Sequence, residues 1–123
     1  AAEGAMVVSP FLFNTGQDTP AAQALVEAYR AKYNEEPDTW VALTYDAVGQ
    51  ALKAIEEVGP DRAEIKEWFD NCNTKEKAYD GVTGLTYFNP DGDCYPKLTF
   101  VAIVKDGQFT PAPKQLSPDD IGA

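Results

Sequence analysis

The chain has 123 residues, 44% of them apolar and 24% charged, the composition of one globular domain able to bury a hydrophobic core. Twenty acidic against ten basic residues leave a net charge of −10, which argues against nucleic acid and against an anionic membrane surface, since both recruit basic surface. There is no histidine, so mechanisms built on a His base or a His metal ligand are excluded.

Ala5 to Val8 is a short apolar run ending at Ser9-Pro10, and it reads as a buried strand entering a loop that carries Phe11, Leu12 and Phe13. Asn14 to Pro20 is turn chemistry. A first helix is predicted from Thr19, which can cap, with Pro20 at the first helical position, where its missing N–H costs nothing. Ala22, Leu25, Val26, Tyr29 and Tyr33 draw one stripe along it, with Arg30 and Lys32 near the end that favours cations.

A second helix opens at Asp38 or Thr39. Val41, Tyr45, Val48, Leu52 and Ile55 recur at steps of four, three, four and three, which predicts the buried stripe, and Gly59-Pro60 stops the helix. A third starts at Asp61, which stands at capping-box spacing from Glu64, and is expected to bury Ile65, Trp68, Phe69 and Cys72. Val82, Leu85, Tyr87 and Phe88 then belong to a β-type run, and residues 89–93 (Asn-Pro-Asp-Gly-Asp) form a turn. Leu98 to Val104 is nearly continuous apolar strand, expected to be buried on both faces. Asp106-Gly107 marks a hairpin loop, and the tail from Pro111 carries three prolines and little apolar content. The order β-α-α-α-β-β-β leaves the early strand short of sheet neighbours, so an α/β layer is implied of which this chain supplies only part.

Few residues offer chemistry. The 89–93 turn superficially resembles a calcium loop, but position 98 is Leu98 where the closing carboxylate belongs. Residues 80–84 (Asp-Gly-Val-Thr-Gly) lack the Lys-Ser/Thr of a phosphate loop. Ser9 and Ser117 are the only serines, neither lies in a nucleophile elbow, and no catalytic residue is assigned. Trp40 stands apart as an aromatic at the first turn of the long helix, near a terminus where carboxylate ligands dock. A core role for it is the alternative. Cys72 and Cys94 read either as two inert thiols or, in an exported protein, as one disulfide closing a loop of about 20 residues, for which the chain-entropy model gives roughly 3 kcal/mol. The opening residues have neither the charged nor the apolar part of an export leader, and the apolar runs are far too short to span a bilayer.

Residues 28–33 (Ala-Tyr-Arg-Ala-Lys-Tyr), 36–38 (Glu-Pro-Asp), 42–48 (Ala-Leu-Thr-Tyr-Asp-Ala-Val), 80–88 (Asp-Gly-Val-Thr-Gly-Leu-Thr-Tyr-Phe), 91–93 (Asp-Gly-Asp) and 104–109 (Val-Lys-Asp-Gly-Gln-Phe) follow one another in a specific order. Together they resemble the C-terminal part of the leucine/isoleucine/valine-binding type of substrate-binding protein, the extracytoplasmic receptors of amino-acid ABC importers. The resemblance implies an α/β fold, part of the two-lobed type I periplasmic-binding architecture with helices layered on a mainly parallel sheet, and an incomplete piece of it. Residues 1–110 would be the C-terminal portion and 111–123 an extended tail. It implies capture of a small ligand, an amino acid with a branched-chain or aromatic-like side chain, between two lobes. Trp40 would be a cleft wall and Phe11 a second ligand contact, while the clamp on the α-carboxylate and α-ammonium would lie upstream of this chain.

The resemblance further implies no enzyme activity, no cofactor, a periplasmic or extracellular location, and a Cys72–Cys94 disulfide. The remainder of the receptor chain and an ABC permease would be its partners, with no nucleic acid and no direct membrane insertion. A ligand-sensing ectodomain or regulatory domain of the same fold is the alternative, as is a small self-assembling protein.

Overall fold

The computed structural model describes residues 2–12, 19–94, 97 and 99–115. The chain forms two compact units, Ala1–Thr39 with Thr99–Ala123, and Trp40–Leu98.

In the first unit, strand β1 (Met6–Ser9) pairs antiparallel with β4 (Phe100–Lys105), which pairs antiparallel with β5 (Gln108–Pro111). The β4–β5 turn has positive φ at both central residues, Asp106 (51°) and Gly107 (76°), the backbone that a two-residue hairpin loop demands and that Asp-Gly supplies. The Glu3 carboxylate accepts the Asp106 N–H at 2.9 Å. Beyond Pro111 the pairing continues: Ala112 N–H donates to the Val101 carbonyl, and the Gln115 side-chain amide bonds both Val101 N–H and its carbonyl. The start of the proline-containing tail thus lies along β4.

Helix α1 (Pro20–Tyr33) starts as expected, with the Thr19 hydroxyl accepting Ala22 N–H at 3.1 Å, and ends at Asn34 in the left-handed region. Its buried face is Ala22, Leu25 and Val26, which are buried together with Phe11, Ala102 and Ala112 in this unit. Two expectations fail here. β1 was expected to be buried, yet Met6 and Val8 are 66% and 57% exposed, and Ser9 is its buried member because its hydroxyl is engaged by neighbouring polar groups. The 98–104 run was expected to be covered on both faces, yet β4 is antiparallel on both edges and buries only Ala102 fully. Leu98 itself lies outside the described residues.

The second unit holds nearly all of α2 (Thr39–Val58), together with α3 (Arg62–Asn71), a 3-10 turn at Lys75–Lys77, and a hairpin of β2 (Tyr79–Gly81) and β3 (Gly84–Thr86). Asp61 caps α3 by accepting the N–H groups of Ala63 and Glu64. Ile65, Trp68 and Phe69 are only half-buried, while Cys72 is buried.

Helix α2 is turned over relative to the sequence expectation. Its buried row is Ala42, Asp46, Gln50 and Ala54, while Tyr45, Val48, Leu52 and Ile55 face solvent. The reason is close approach by the hairpin backbone. A Cβ on Gly81 would lie 2.4 Å from the Asp46 carboxyl carbon, and one on Gly49 would lie 2.2 Å from the Tyr79 hydroxyl oxygen. A row of alanines and polar side chains, with one well-placed carboxylate, admits such a neighbour.

The Asp46 carboxylate holds the hairpin turn. One oxygen accepts Val82 N–H at 2.8 Å, and the other accepts Thr83 N–H at 2.8 Å and the Thr83 hydroxyl at 2.5 Å. Asp46 is 4% exposed and Thr83 fully buried, so these bonds are made where water cannot replace them. Burial, followed by the charge of Asp46, raises the Tyr79 phenol above its ordinary value of 10.0.

Two predictions follow from this packing. Asp46→Ala strands two buried N–H groups and a hydroxyl and should cost about 3 kcal/mol or more. Gly81→Ala should approach the same loss, because its Cβ displaces the carboxylate. Denaturant midpoints check both, and a midpoint for Asp46→Ala within experimental scatter of wild type would contradict the account. For Tyr79, the unfolded phenol ionises before the folded one. The unfolded state therefore binds fewer protons above pH 10, and stability falls as pH rises from the unfolded value through the raised folded one. Lys97, whose folded value is lowered, acts with the opposite sign in the alkaline range, so the measurement is the difference between wild type and Tyr79→Phe. Relative to Tyr79→Phe, wild-type stability should fall between about pH 9 and 11, one unit on either side of the free phenol, and a constant difference would contradict the assignment.

Candidate functional site

Trp40 lies in the first turn of α2 and is 76% exposed, the most exposed large hydrophobic side chain among the described residues. An indole carries a large apolar surface whose burial is favourable, so one that the fold leaves in water is available to something else. Its place is the one read from the sequence.

Phe11, the other expected ligand contact, is 2% exposed. Its carbonyl is the focus of a small polar cluster: the Ser9 hydroxyl lies 2.8 Å away and the Thr39 hydroxyl 3.0 Å away, and the two hydroxyl oxygens also touch one another. Each hydroxyl has one proton. One therefore donates to the Phe11 carbonyl, while the other donates to that carbonyl or to its neighbour. Ser9 and Thr39 ride on the end of β1 and the first residue of α2, so this cluster fixes the main chain leading to Trp40. Neither hydroxyl was singled out from the sequence. Ser-Pro after an apolar run reads as a loop signal, and nothing local says that a residue thirty positions on will meet it.

The expected Cys72–Cys94 disulfide is not formed: both thiols are free, Cys72 buried and Cys94 exposed. The reason is geometric. Phe88 N–H donates to the Cys72 carbonyl, and Phe88 also pairs with Cys94 as an isolated antiparallel bridge, so the Phe88 main chain runs between them. The Cys72 sulfur is directed instead to the carbonyls of Lys77 and Thr86, at 3.3 and 3.4 Å.

Nearby, the Lys97 ammonium donates to the Thr86 hydroxyl at 2.5 Å. Burial holds its pKa below the ordinary lysine value, and the acidic groups of Cys94 and Asp46 pull it partly back. A depression of about 850 Å³ opens beside α3, lined by Phe69, Phe88, Asn89 and Gly92 and by the paired Lys66 and Asp70. None of the expected site residues lines it. The 89–93 segment is a turn in which Asn89 Oδ1 accepts the N–H groups of Asp91 and Asp93. Among the described residues no group of three or more His, Cys, Asp or Glu is placed to hold a metal ion, and no helix is long and apolar enough to cross a membrane.

Asp46 and Thr83 are the residues that sequence reasoning missed. A signal was there: Ala42, Asp46, Gln50 and Ala54 repeat every four residues as small or polar side chains, the pattern of a helix face approached by backbone.

Comparison with known proteins agrees with this architecture. The profile of the periplasmic binding protein family matches residues 1–108. A leucine-binding protein, LivK, of Thermotoga maritima is 32% identical with a TM-score of 0.78, over 97% of this chain and 32% of that one. An ABC transporter substrate-binding protein of Desulfitobacterium hafniense, solved in complex with Leu, is 30% identical with a TM-score of 0.72, over 90% of this chain and 32% of that one. A solute-binding protein of R. palustris solved with benzoate, at 19% identity and a TM-score of 0.71, shares the fold. Among curated proteins none matches. The chain spans about a third of the length of these solved structures. With most of its residues matched by the family profile and a third of them identical to LivK, the chain belongs to the periplasmic binding protein family.

Proposed function

We propose that this chain is part of an exported solute-binding receptor that captures an amino acid with an apolar side chain and presents it to an ABC permease. The observation that carries the reading is Trp40, a tryptophan left 76% exposed at the start of the longest helix in a chain 32% identical to a leucine-binding protein. A flat apolar wall suits an aliphatic or aromatic ligand side chain. The α-carboxylate and α-ammonium clamp would come from polypeptide outside these residues. Phe11, with its side chain 2% exposed, would serve the core of its own unit and not line the ligand wall. The receptor binds its ligand and does not transform it. The periplasm or cell exterior is its place of work.

In such a receptor the ligand favours a closed arrangement of lobes only to the extent that it contacts that arrangement better than the open one. An indole stacked on the ligand side chain is one such differential contact. The acidic surface, with a net charge of −10, suits a soluble exported protein and leaves selection of the ligand to local groups.

Titration calorimetry on the full-length receptor with leucine, isoleucine, valine and phenylalanine tests the reading. Trp40→Ala should weaken the preferred ligand by about tenfold or more, since losing a buried aromatic contact costs about 1.4 kcal/mol or more, while the thermal midpoint stays near that of wild type. Unchanged affinity would remove Trp40 from the site. No heat with any of the four amino acids would overturn the ligand class.

A further inference from the structure

The chain contains three Asp-Gly dipeptides, Asp80-Gly81, Asp91-Gly92 and Asp106-Gly107. Such a pair can rearrange without a catalyst, by attack of the glycine nitrogen on the aspartate carboxyl carbon, because glycine has no Cβ to hinder the approach. What separates the three pairs is the state of that nitrogen. A main-chain N–H already engaged in a hydrogen bond must give the bond up before it reacts.

Two of the three are restrained. Gly92 donates its N–H to the Asn89 carbonyl at 2.9 Å, and Asn89 Oδ1 holds the N–H groups of Asp91 and Asp93 on either side. Gly81 pairs with Gly84 in the β2–β3 hairpin and lies against the Asp46 carboxylate, whose negative charge opposes loss of a proton from a neighbouring amide.

The third is open. Asp106 and Gly107 are both exposed. Strand pairing ends at Lys105 and Gln108, so Gly107 stands outside the ladder, and among the described residues no group accepts its N–H. The Glu3 carboxylate accepts the N–H of Asp106. That bond holds the loop and leaves the Gly107 nitrogen facing water.

We propose that Asp106 is a site of spontaneous isomerisation to isoaspartate, the Asp-Gly pair that the fold leaves able to react. The Gly107 N–H gives its proton to water, and the nitrogen's electron pair forms a C–N bond to the Asp106 carboxyl carbon. The C–OH bond of that carboxyl breaks, and the hydroxyl takes a proton and leaves as water. Hydrolysis of the cyclic imide at the main-chain carbonyl carbon routes the main chain through the Asp106 side chain, and hydrolysis at the other carbonyl restores aspartate. Nothing is oxidised or reduced, and water is the only co-reactant. The product carries an extra methylene in the main chain, inside the loop that sets the Lys105–Gln108 register of β4 and β5.

The test ages the full-length polypeptide carrying this sequence in oxygen-18 water at neutral pH, once folded and once unfolded in urea. Each hydrolysis of the imide fixes one heavy oxygen, peptide mapping assigns it to a dipeptide, and methyl transfer by an isoaspartate methyltransferase identifies the isoaspartate. In the folded protein Asp106 should carry about threefold or more the label of Asp91, because releasing a hydrogen-bonded N–H costs a factor of about two to ten, and Asp80 should carry less than Asp106 too. In urea the three pairs should label alike. Asp106→Asn keeps a residue that favours this loop, and its neutral amide does not repel the incoming nitrogen as an ionised carboxylate does, so position 106 should convert to aspartate and isoaspartate faster than wild type isomerises.

Label at Asp106 that does not exceed the label at Asp91 and Asp80 in the folded protein would overturn the proposal, as would its absence. An Asp106→Asn side chain that stays an amide over the same period would overturn it as well. The Trp40 titration and this experiment share no residue, so the failure of one leaves the other interpretable.

Discussion

The structure of the second unit depends on one buried carboxylate. Asp46 sits in the middle of a long helix, where an acid gains nothing from the helix dipole and costs helix propensity. It is retained by what it accepts: two backbone N–H groups and a hydroxyl from the turn between β2 and β3. A short hairpin of three-residue strands has little stability of its own. Tying its turn to a 20-residue helix gives it a fixed place, and the absence of a side chain at Gly81 lets the two main chains come close enough for the bonds to form.

The constraint has consequences around the helix. Once the Asp46 side of α2 faces the hairpin, the opposite side must carry whatever the sequence puts there, and the sequence puts tyrosine, valine, leucine and isoleucine. The start of the helix is fixed by a separate device, the Ser9 and Thr39 hydroxyls gathered on the Phe11 carbonyl. Trp40 follows directly and is left in water. One helix thus carries three different surfaces: the inner face secures the hairpin, the first turn leaves an indole exposed, and the outer face carries exposed apolar side chains.

Much of the local structure was legible because it is written in short-range chemistry. Thr19-Pro20, Asp61 with Glu64, and Asp106-Gly107 each state a cap or a turn in a few residues, and each is found where those residues stand. Of the candidate site, the sequence marked Trp40 as an aromatic in a place with no local reason for it, and the indole is indeed exposed there. The orientation of α2 was not legible, because periodicity marks the face with the larger apolar area and is silent on which face has a partner within the chain. The same blindness led β1 and the 98–104 run to be read as covered strands. The Cys72–Cys94 pairing failed for a related reason: two cysteines at a reasonable separation in sequence are kept apart by the main chain of Phe88, a neighbour that only the tertiary structure supplies.

The central claim is that these residues work as part of a larger ligand-binding receptor, and the intact mass of the native polypeptide carrying this sequence, measured from its source cells, tests it most directly. Given relatives of which this chain covers 32%, the account predicts a polypeptide about three times the 13.4 kDa of the present chain. A native polypeptide of 13.4 kDa would contradict it, and the exposed row of α2 would then have to be covered by a second copy of the chain.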